Sequence, residues 1–380
     1  MKVSVTNELF SYAVNIRRDL HRHPEIGFDL PRTASLVTEE LKKMGYEPTN
    51  AYGTCSVVAE VGQGEEVLAI RADMDALPVE EINDLPYKSE YPGKMHACGH
   101  DSHTAALLAV AKHLKENEAA LTRRVRLLFQ PAEESAVSGA KMMMENAVLE
   151  GVDEVICTHC DNTVNVGELV ICPGDYMAAC IPLTITFFGK TSHAAFPQNG
   201  IDAVAMGVEA YAAMKQAVAE EAGESTPYIW CNGRLAGGTA HNVVPDRCDM
   251  DISFRYYDKA FAVRVEKRVR EICEGIAARF GGRCEIDWHV STVAVHNDEG
   301  SSLAFEQLVK DKGMTINRVP PRMSSEDFGW LLEKVKGFIF RFGTRNEAKG
   351  CVGPSHRNTF MIDEDGMRAA IEAFLIYAYR

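Results

Sequence analysis

The order of segments predicts an α/β protein in two parts. One is a discontinuous domain with a mostly parallel sheet, residues 1–182 and 293–380; the other is an inserted α+β domain of ferredoxin-like topology over 183–292. Three observations predict it. Short β-rich runs alternate with helical stretches through the first part of the chain, the rhythm of a parallel sheet covered on both faces. Near Pro182 the rhythm changes to β-α-β-β-α-β over about 110 residues, the order of an antiparallel sheet with two helices on one face. With 380 residues the chain also exceeds one comfortable hydrophobic core.

Helical spacing opens the chain, with Leu9, Ala13, Ile16 and Leu20 on one face, and returns over 34–44. β-rich runs at 55–60 and 67–70 flank the turn Gly62-Gln63-Gly64. A helix over 103–116 leads to a strand at 125–129, and a helix over 139–146 to a strand at 155–157. The insert reads as strand 183–188, helix 203–216, strands 228–231 and 250–255, helix 263–280 and strand 284–290. After Thr292 the α/β rhythm resumes with helices at 302–312 and 326–333, a strand at 337–342 and a last helix at 365–379. No internal repeat or low-complexity linker interrupts the pattern.

Composition excludes several function classes. Hydrophobic residues make up 46% and charged residues 25%, which rules out a disordered or fibrous chain. The longest apolar run, 105–111, is far too short for a bilayer, and the N-terminus has neither an apolar signal core nor a small-residue cleavage site, so a cytoplasmic protein without a membrane partner is expected. Forty Lys and Arg against fifty-four Asp and Glu give a net charge of −14, a field that repels phosphate backbones and argues against nucleic acid. Eleven cysteines, an odd number scattered along the chain, fit reduced thiols better than a disulfide framework.

The densest cluster of ligand-type side chains is His96-Ala97-Cys98-Gly99-His100-Asp101-Ser102-His103. Cys98 and His100 straddle Gly99, which lets both turn toward one ion. Thiolate with imidazole favours zinc, with manganese, cobalt or nickel also compatible. Other strands deliver the same chemistry at their carboxyl ends, where α/β sheets bind ligands: Asp73 and Asp75, Glu133 and Glu134, His159, and, after a loop, His356. Neighbouring side chains in an extended loop point to opposite sides, so one of Glu133 and Glu134 can hold metal while the other acts as base toward the substrate water. Asp75 would orient a ligand from behind. Two other motifs lead elsewhere. Cys157-Thr158-His159-Cys160 lacks the helix N-terminus of a redox CxxC. Ser138-Gly139-Ala140-Lys141 lacks the companion motifs of serine acyl enzymes and suits a helix start.

Arg71-Ala72-Asp73-Met74-Asp75-Ala76-Leu77-Pro78, Met95-His96-Ala97-Cys98-Gly99-His100-Asp101 and Gln130-Pro131-Ala132-Glu133-Glu134 resemble the aminoacylase/carboxypeptidase metallopeptidase superfamily. The branch is that of the N-acyl-amino-acid amidohydrolases, which includes hippurate hydrolases, auxin-conjugate hydrolases and N-acetyldiaminopimelate deacetylases. The likeness runs from His21-Arg22-His23-Pro24-Glu25 through Gly189-Lys190-Thr191-Ser192-His193, Gly237-Gly238-Thr239-Ala240-His241-Asn242 and Ser325-Glu326-Asp327-Phe328 to Ser355-His356. It implies a site for two divalent metal ions held by Cys98, His100, Glu134, His159 and His356. Glu133 is then the general base, with Asp75 as its auxiliary and Asp73 an alternative for that role. The insert becomes a lid through which a homodimer forms, His193 a donor to the scissile carbonyl or its oxyanion, and Asn242 and Arg255 substrate contacts. Three departures from the branch leave the metal ligands intact and bear on the acyl pocket: Gln198 where this branch commonly has His, no Pro two residues after His356, and Ser135-Ala136-Val137-Ser138, less glycine-rich than usual.

The expected activity is therefore hydrolysis of the amide of an N-acyl, often N-acetyl, amino acid. Glu133 takes a proton from the attacking water and returns it to the leaving amine. The rival activity is that of a dipeptidase or carboxypeptidase on short peptides. A rival of another class is a metal-binding protein that kept the fold without catalysis, against which the intact Glu133-Glu134 pair argues; a serine acyl-transfer enzyme is the third.

Overall fold

The computed structural model describes residues 4–380. They form two compact units, one from residues up to Tyr176 with Val295–Pro321 and Asp327–Arg380, the other from Met177–Ala294 with Arg322–Glu326.

The first unit begins with helix α1 (Asn7–Arg22), whose N-cap Thr6 accepts from Leu9 N–H, and α2 (Pro31–Lys43), which starts on a proline. The Glu25 carboxylate caps α2 by accepting the N–H groups of Arg32 and Thr33. Strands β1 (Val57–Val61) and β2 (Val67–Asp73) follow, then α3 (His100–Glu116), β3 (Arg124–Gln130), α4 (Gly139–Glu145), β4 (Glu154–Asn165), β5 (Glu168–Ile171) and β6 (Gly174–Met177). The strand expected from Cys55 starts at Val57 because Cys55 has φ +58, outside the extended region. Helix α3 starts at His100, three residues earlier than expected. Gly99 at φ +85 makes that start, and a side chain there would collide with Cys160 Sγ.

The second unit contains β7 (Ala179–Phe188), the two-residue β8 (Ser192–His193), α5 (Ala203–Ala222), β9 (Tyr228–Gly237), the two-residue β10 (Val243–Val244), β11 (Arg247–Tyr256), α6 (Lys259–Phe280) and β12 (Arg283–Asp287). Its sheet has the order β12-β7-β11-β9 and every pairing is antiparallel, a ferredoxin-like topology. Burial alternates strictly along β11. The buried row packs Met250, Ile252 and Phe254 against Met206, Ala210 and Met214 of α5 and Phe261, Val265 and Val269 of α6.

The chain then returns to the first unit with β13 (Val295–Asn297), α7 (Glu299–Asp311), β14 (Thr315–Arg318), α8 (Gly329–Leu332), β15 (Lys336–Arg345) and α9 (Gly366–Ala378). The helix expected over 326–333 shrinks to the single turn α8. Asp327 is committed there as a buried anchor, accepting from Arg71, Gln130, Ser138 and the Ala140 N–H. The main sheet runs β1-β3-β2-β4-β15-β5-β14; β2, β3, β4 and β15 are mutually parallel, while β1 and β5 run antiparallel to their neighbours β3 and β15. Its α/β core buries Leu68, Ile70, Phe129, Ile156 and Phe340 beneath Leu107 and Val110 of α3 and Phe374 of α9. No helix among the described residues is long and apolar enough to cross a membrane.

Candidate active site

The carboxyl ends of β2 and β3, the start of α3, the middle of β4 and the loop after β15 bring the ligand-type residues together. Cys98, His100 and His159 have donor atoms within 4.8 Å of one another, as do Cys98, Glu134 and His356, and His100, Glu133 and Glu134. Cys98 Sγ lies 3.3 Å from His159 Nε2. His159 Nδ1 donates to the Cys160 carbonyl at 2.7 Å, which leaves Nε2 as the lone-pair nitrogen facing Cys98. His356 Nε2 stands 2.9 Å from Glu134 Oε1.

The two aspartates at the end of β2 have different partners. Asp73 accepts from His103 Nδ1 at 2.6 Å and from Arg71 at 2.7 Å. Asp75 instead accepts the backbone N–H groups of Glu133 and Glu134, both at 3.0 Å, and its Oδ1 lies 3.4 Å from His100 Nδ1. Asp75 thus grips the turn that carries both glutamates, a turn that Ala132 enters at φ +55. His103 Nε2 accepts from the Cys160 N–H at 2.9 Å, so both its nitrogens are used and it acts as a brace.

Electrostatics follow from burial among carboxylates. Burial opposes a charge on His100, but Asp73, Asp75 and Glu134 push its pKa up to about 10. Burial, with Glu134 and Glu133 beside it, raises the Cys98 thiol well above its usual range. Burial also holds His96 down to about 3. His100 Nε2 is buried without a hydrogen-bond partner, while Nδ1 faces only Asp75 Oδ1 at 3.4 Å. A thiol, imidazoles and carboxylates converging beside that orphaned nitrogen fit a divalent cation, which would favour the thiolate of Cys98 and take up the free lone pair of His100.

In the second unit, pairing of β8 with β10 sets Val243 opposite His193, and Ala194 N–H donates to the Asn242 carbonyl at 3.0 Å. His193 and Asn242 are therefore neighbours, which their separation in sequence did not suggest. His193 Nδ1 accepts from the Ala195 N–H at 3.0 Å, so the neutral ring carries its proton on Nε2, on an exposed side chain. Arg255 donates to the Met323 carbonyl at 2.9 Å and to Ser325 Oγ at 3.2 Å.

The buried network of Arg71, Gln130 and Asp327 behind the strand ends was missed as a unit in the sequence. Its signal is a charged or amide side chain within otherwise apolar strands. Ser138 caps α4 by accepting from Lys141 N–H and donates to Asp327 at 2.7 Å, a structural use of the hydroxyl. All eleven cysteines are free.

Residues 69–380 match the description of peptidase family M20/M25/M40. The chain belongs to this family. As an M20-family hydrolase it is 33% identical over 379 residues to thermostable carboxypeptidase 2 of Saccharolobus solfataricus, covering 98% of this chain and 96% of the relative. It is also 33% identical over 364 residues to N-acetylcysteine deacetylase of Bacillus subtilis, covering 95% and 94%. A crystal structure of a dinuclear metal-binding M20-family peptidase from Bacillus subtilis superposes with a TM-score of 0.84 at 30% identity, over 98% of each chain.

Proposed function

We propose that this M20-family hydrolase is a two-metal amidohydrolase that releases a carboxylic acid and a free amino acid from an N-acyl amino acid. Cys98, His100 and His159 would hold one ion, and Cys98, Glu134 and His356 the other. The ions are zinc on this reading, with manganese, cobalt and nickel also suited to the donor set. Bound divalent ions would acidify the attacking water and polarise the scissile carbonyl. Glu133 accepts the proton of that water and delivers it to the leaving amine. Asp75 keeps Glu133 in place through its backbone N–H, His193 offers Nε2–H to the oxyanion, and Asn242 and Arg255 contact substrate.

The observation that carries this reading is the Asp75 carboxylate accepting from both Glu133 and Glu134 beside His100. It fixes the backbone of both glutamates, which supports reading one as ligand and its neighbour as base. The dinuclear relative and the deacetylase name support the same chemistry. The carboxypeptidase name favours a second reading, cleavage of short peptides, in which the bond broken is again an amide on an amino acid. The proposal extends to a cytoplasmic homodimer formed through the inserted unit, with that unit as lid. A hydrolysis screen of N-acetyl, N-benzoyl and longer N-acyl amino acids beside dipeptides, with metal analysis of the purified protein, tests it. Faster turnover of dipeptides selects the second reading.

A further inference from the structure

The segment His21-Arg22-His23-Pro24-Glu25 carries chemistry that the proposed reaction does not use. His21 sits on the last turn of α1, 1% exposed, with each ring nitrogen on a carboxylate. Nδ1 lies 2.8 Å from Asp101 Oδ2, and Nε2 lies 3.3 Å from Glu81 Oε1. A neutral imidazole has one N–H, so only the protonated ring donates to both. Burial opposes that charge, but hydrogen bonds to Asp101 and Glu81 outweigh it and raise the pKa. The other groups facing the ring are Arg17, with Nη2 3.5 Å from Nδ1, the Tyr87 ring at 5.7 Å and the His96 ring at 6.3 Å. Arg17 also donates to Asp101 at 2.9 Å and to Glu364 at 3.0 Å.

Each carboxylate on His21 is a handle on a ligand-bearing segment. Asp101 directly follows His100. Asn83 Nδ2 donates to Glu81 Oε1 and to the Phe360 carbonyl, both at 3.1 Å. Ile82 N–H donates to the Asn358 carbonyl at 3.1 Å, and His356 N–H to the Ala97 carbonyl at 2.8 Å. This bracing matters because His356 has φ +67, a left-handed conformation that a residue with a side chain keeps only where its surroundings hold it.

We propose that His21 is a positioning residue: clamped between Asp101 and Glu81, it ties the start of the His100 helix to residues 81–83 and so holds the His356 turn in place. Its consequence for metal rests on the two-metal reading above; the clamp itself lies wholly in the polypeptide. His21 acts through its neighbours and has no contact with the reacting atoms.

The test compares wild type, His21→Gln and Asn83→Ala by amide hydrogen exchange on metal-stripped protein and by zinc titration. Asn83 is half-buried on a loop, so Asn83→Ala reads the same link if His21→Gln does not fold. The clamp predicts that amides at 356–360 exchange at least about tenfold faster in both variants, while those of β4 keep their protection. It also predicts that the zinc ion held by Glu134 and His356 binds roughly tenfold more weakly, with the other ion unaffected. Unchanged exchange at 356–360 in both variants overturns the clamp whatever the metal content. Acceleration in Asn83→Ala alone removes His21 from it, and uniform acceleration through β4 reads as global destabilisation and overturns it as well. A wild type that takes up fewer than two zinc ions overturns the two-metal reading instead, and the exchange comparison still decides the clamp.

Discussion

Replacing Asp75 by asparagine tests how the Glu133-Glu134 turn is held. In the native protein Oδ1 accepts from Glu133 N–H and Oδ2 from Glu134 N–H, both at 3.0 Å, and Asp75 is 1% exposed. Asparagine can accept from only one of them. Its amide N–H groups face the other donor to donor, which leaves a buried N–H unpaired. A hydrogen bond to a charged group contributes about 1.5–3 kcal/mol. At about 1.4 kcal/mol per tenfold in rate, a deficit of that size lowers kcat/KM by roughly 10–150-fold if it appears wholly in the transition state. If it appears in the ground state, the same deficit is read as lost stability in urea denaturation. The assay is kcat/KM on an N-acetyl amino acid with metal-replete protein, beside the urea midpoint and metal content. A variant with kcat/KM within about threefold of wild type and an unchanged urea midpoint would refute the reasoning.

Three further outcomes are expected. Chelator abolishes turnover, added divalent metal restores it, and Cys98→Ser lowers the metal retained on purification; full activity of Cys98→Ser with unchanged metal content would remove Cys98 from the ligand set. His193→Ala lowers turnover by roughly 10²-fold or more with metal content intact. If His193 acts across a dimer, mixing that variant with Glu133→Gln subunits regenerates some activity, and no rescue in proven heterodimers places it in cis. Burial opposes the charge on Asp101, yet Arg17 and His21 hold its carboxyl well below the usual range. A carboxyl depressed on folding stabilises above its unfolded pKa, near 3.9, and that contribution is lost as pH falls toward the folded value. Asp101→Asn therefore flattens the acid-side loss in urea midpoint between about pH 5 and 2, and an unchanged slope would contradict the ion-pair account.

The regular parts of the fold were legible because burial on one face leaves a period, as in Leu9, Ala13 and Leu20 of α1 or the alternation along β11. The full length of β4 was not. Thr158, His159, Asp161 and Asn162 interrupt its apolar pattern, yet the strand continues because pairing with β15 satisfies its backbone and its polar side chains find buried partners. Short β5 and β14 escaped notice for lack of a period long enough to read. In the site, residue type at the strand ends marked Cys98, His100, Glu133, Glu134, His159 and His356, and the family resemblance divided them into ligands and base. Residue type could not separate Asp73 from Asp75, which follow the same strand; only their partners, Arg71 and His103 for one and the glutamate turn for the other, tell them apart. The nearness of His193 and Asn242 depended on a two-residue ladder that no local pattern announces.

The central claim is that Glu133 is the base of a two-metal amidohydrolase, and the most direct measurement is kcat of Glu133→Gln on the best N-acyl amino acid substrate, with metal content determined on the same sample. The account predicts an intact fold, both ions retained, and turnover lower by ~10²–10⁴-fold, since one residue both takes and returns the proton. Normal metal content with more than about a tenth of wild-type turnover would contradict it and assign the base elsewhere.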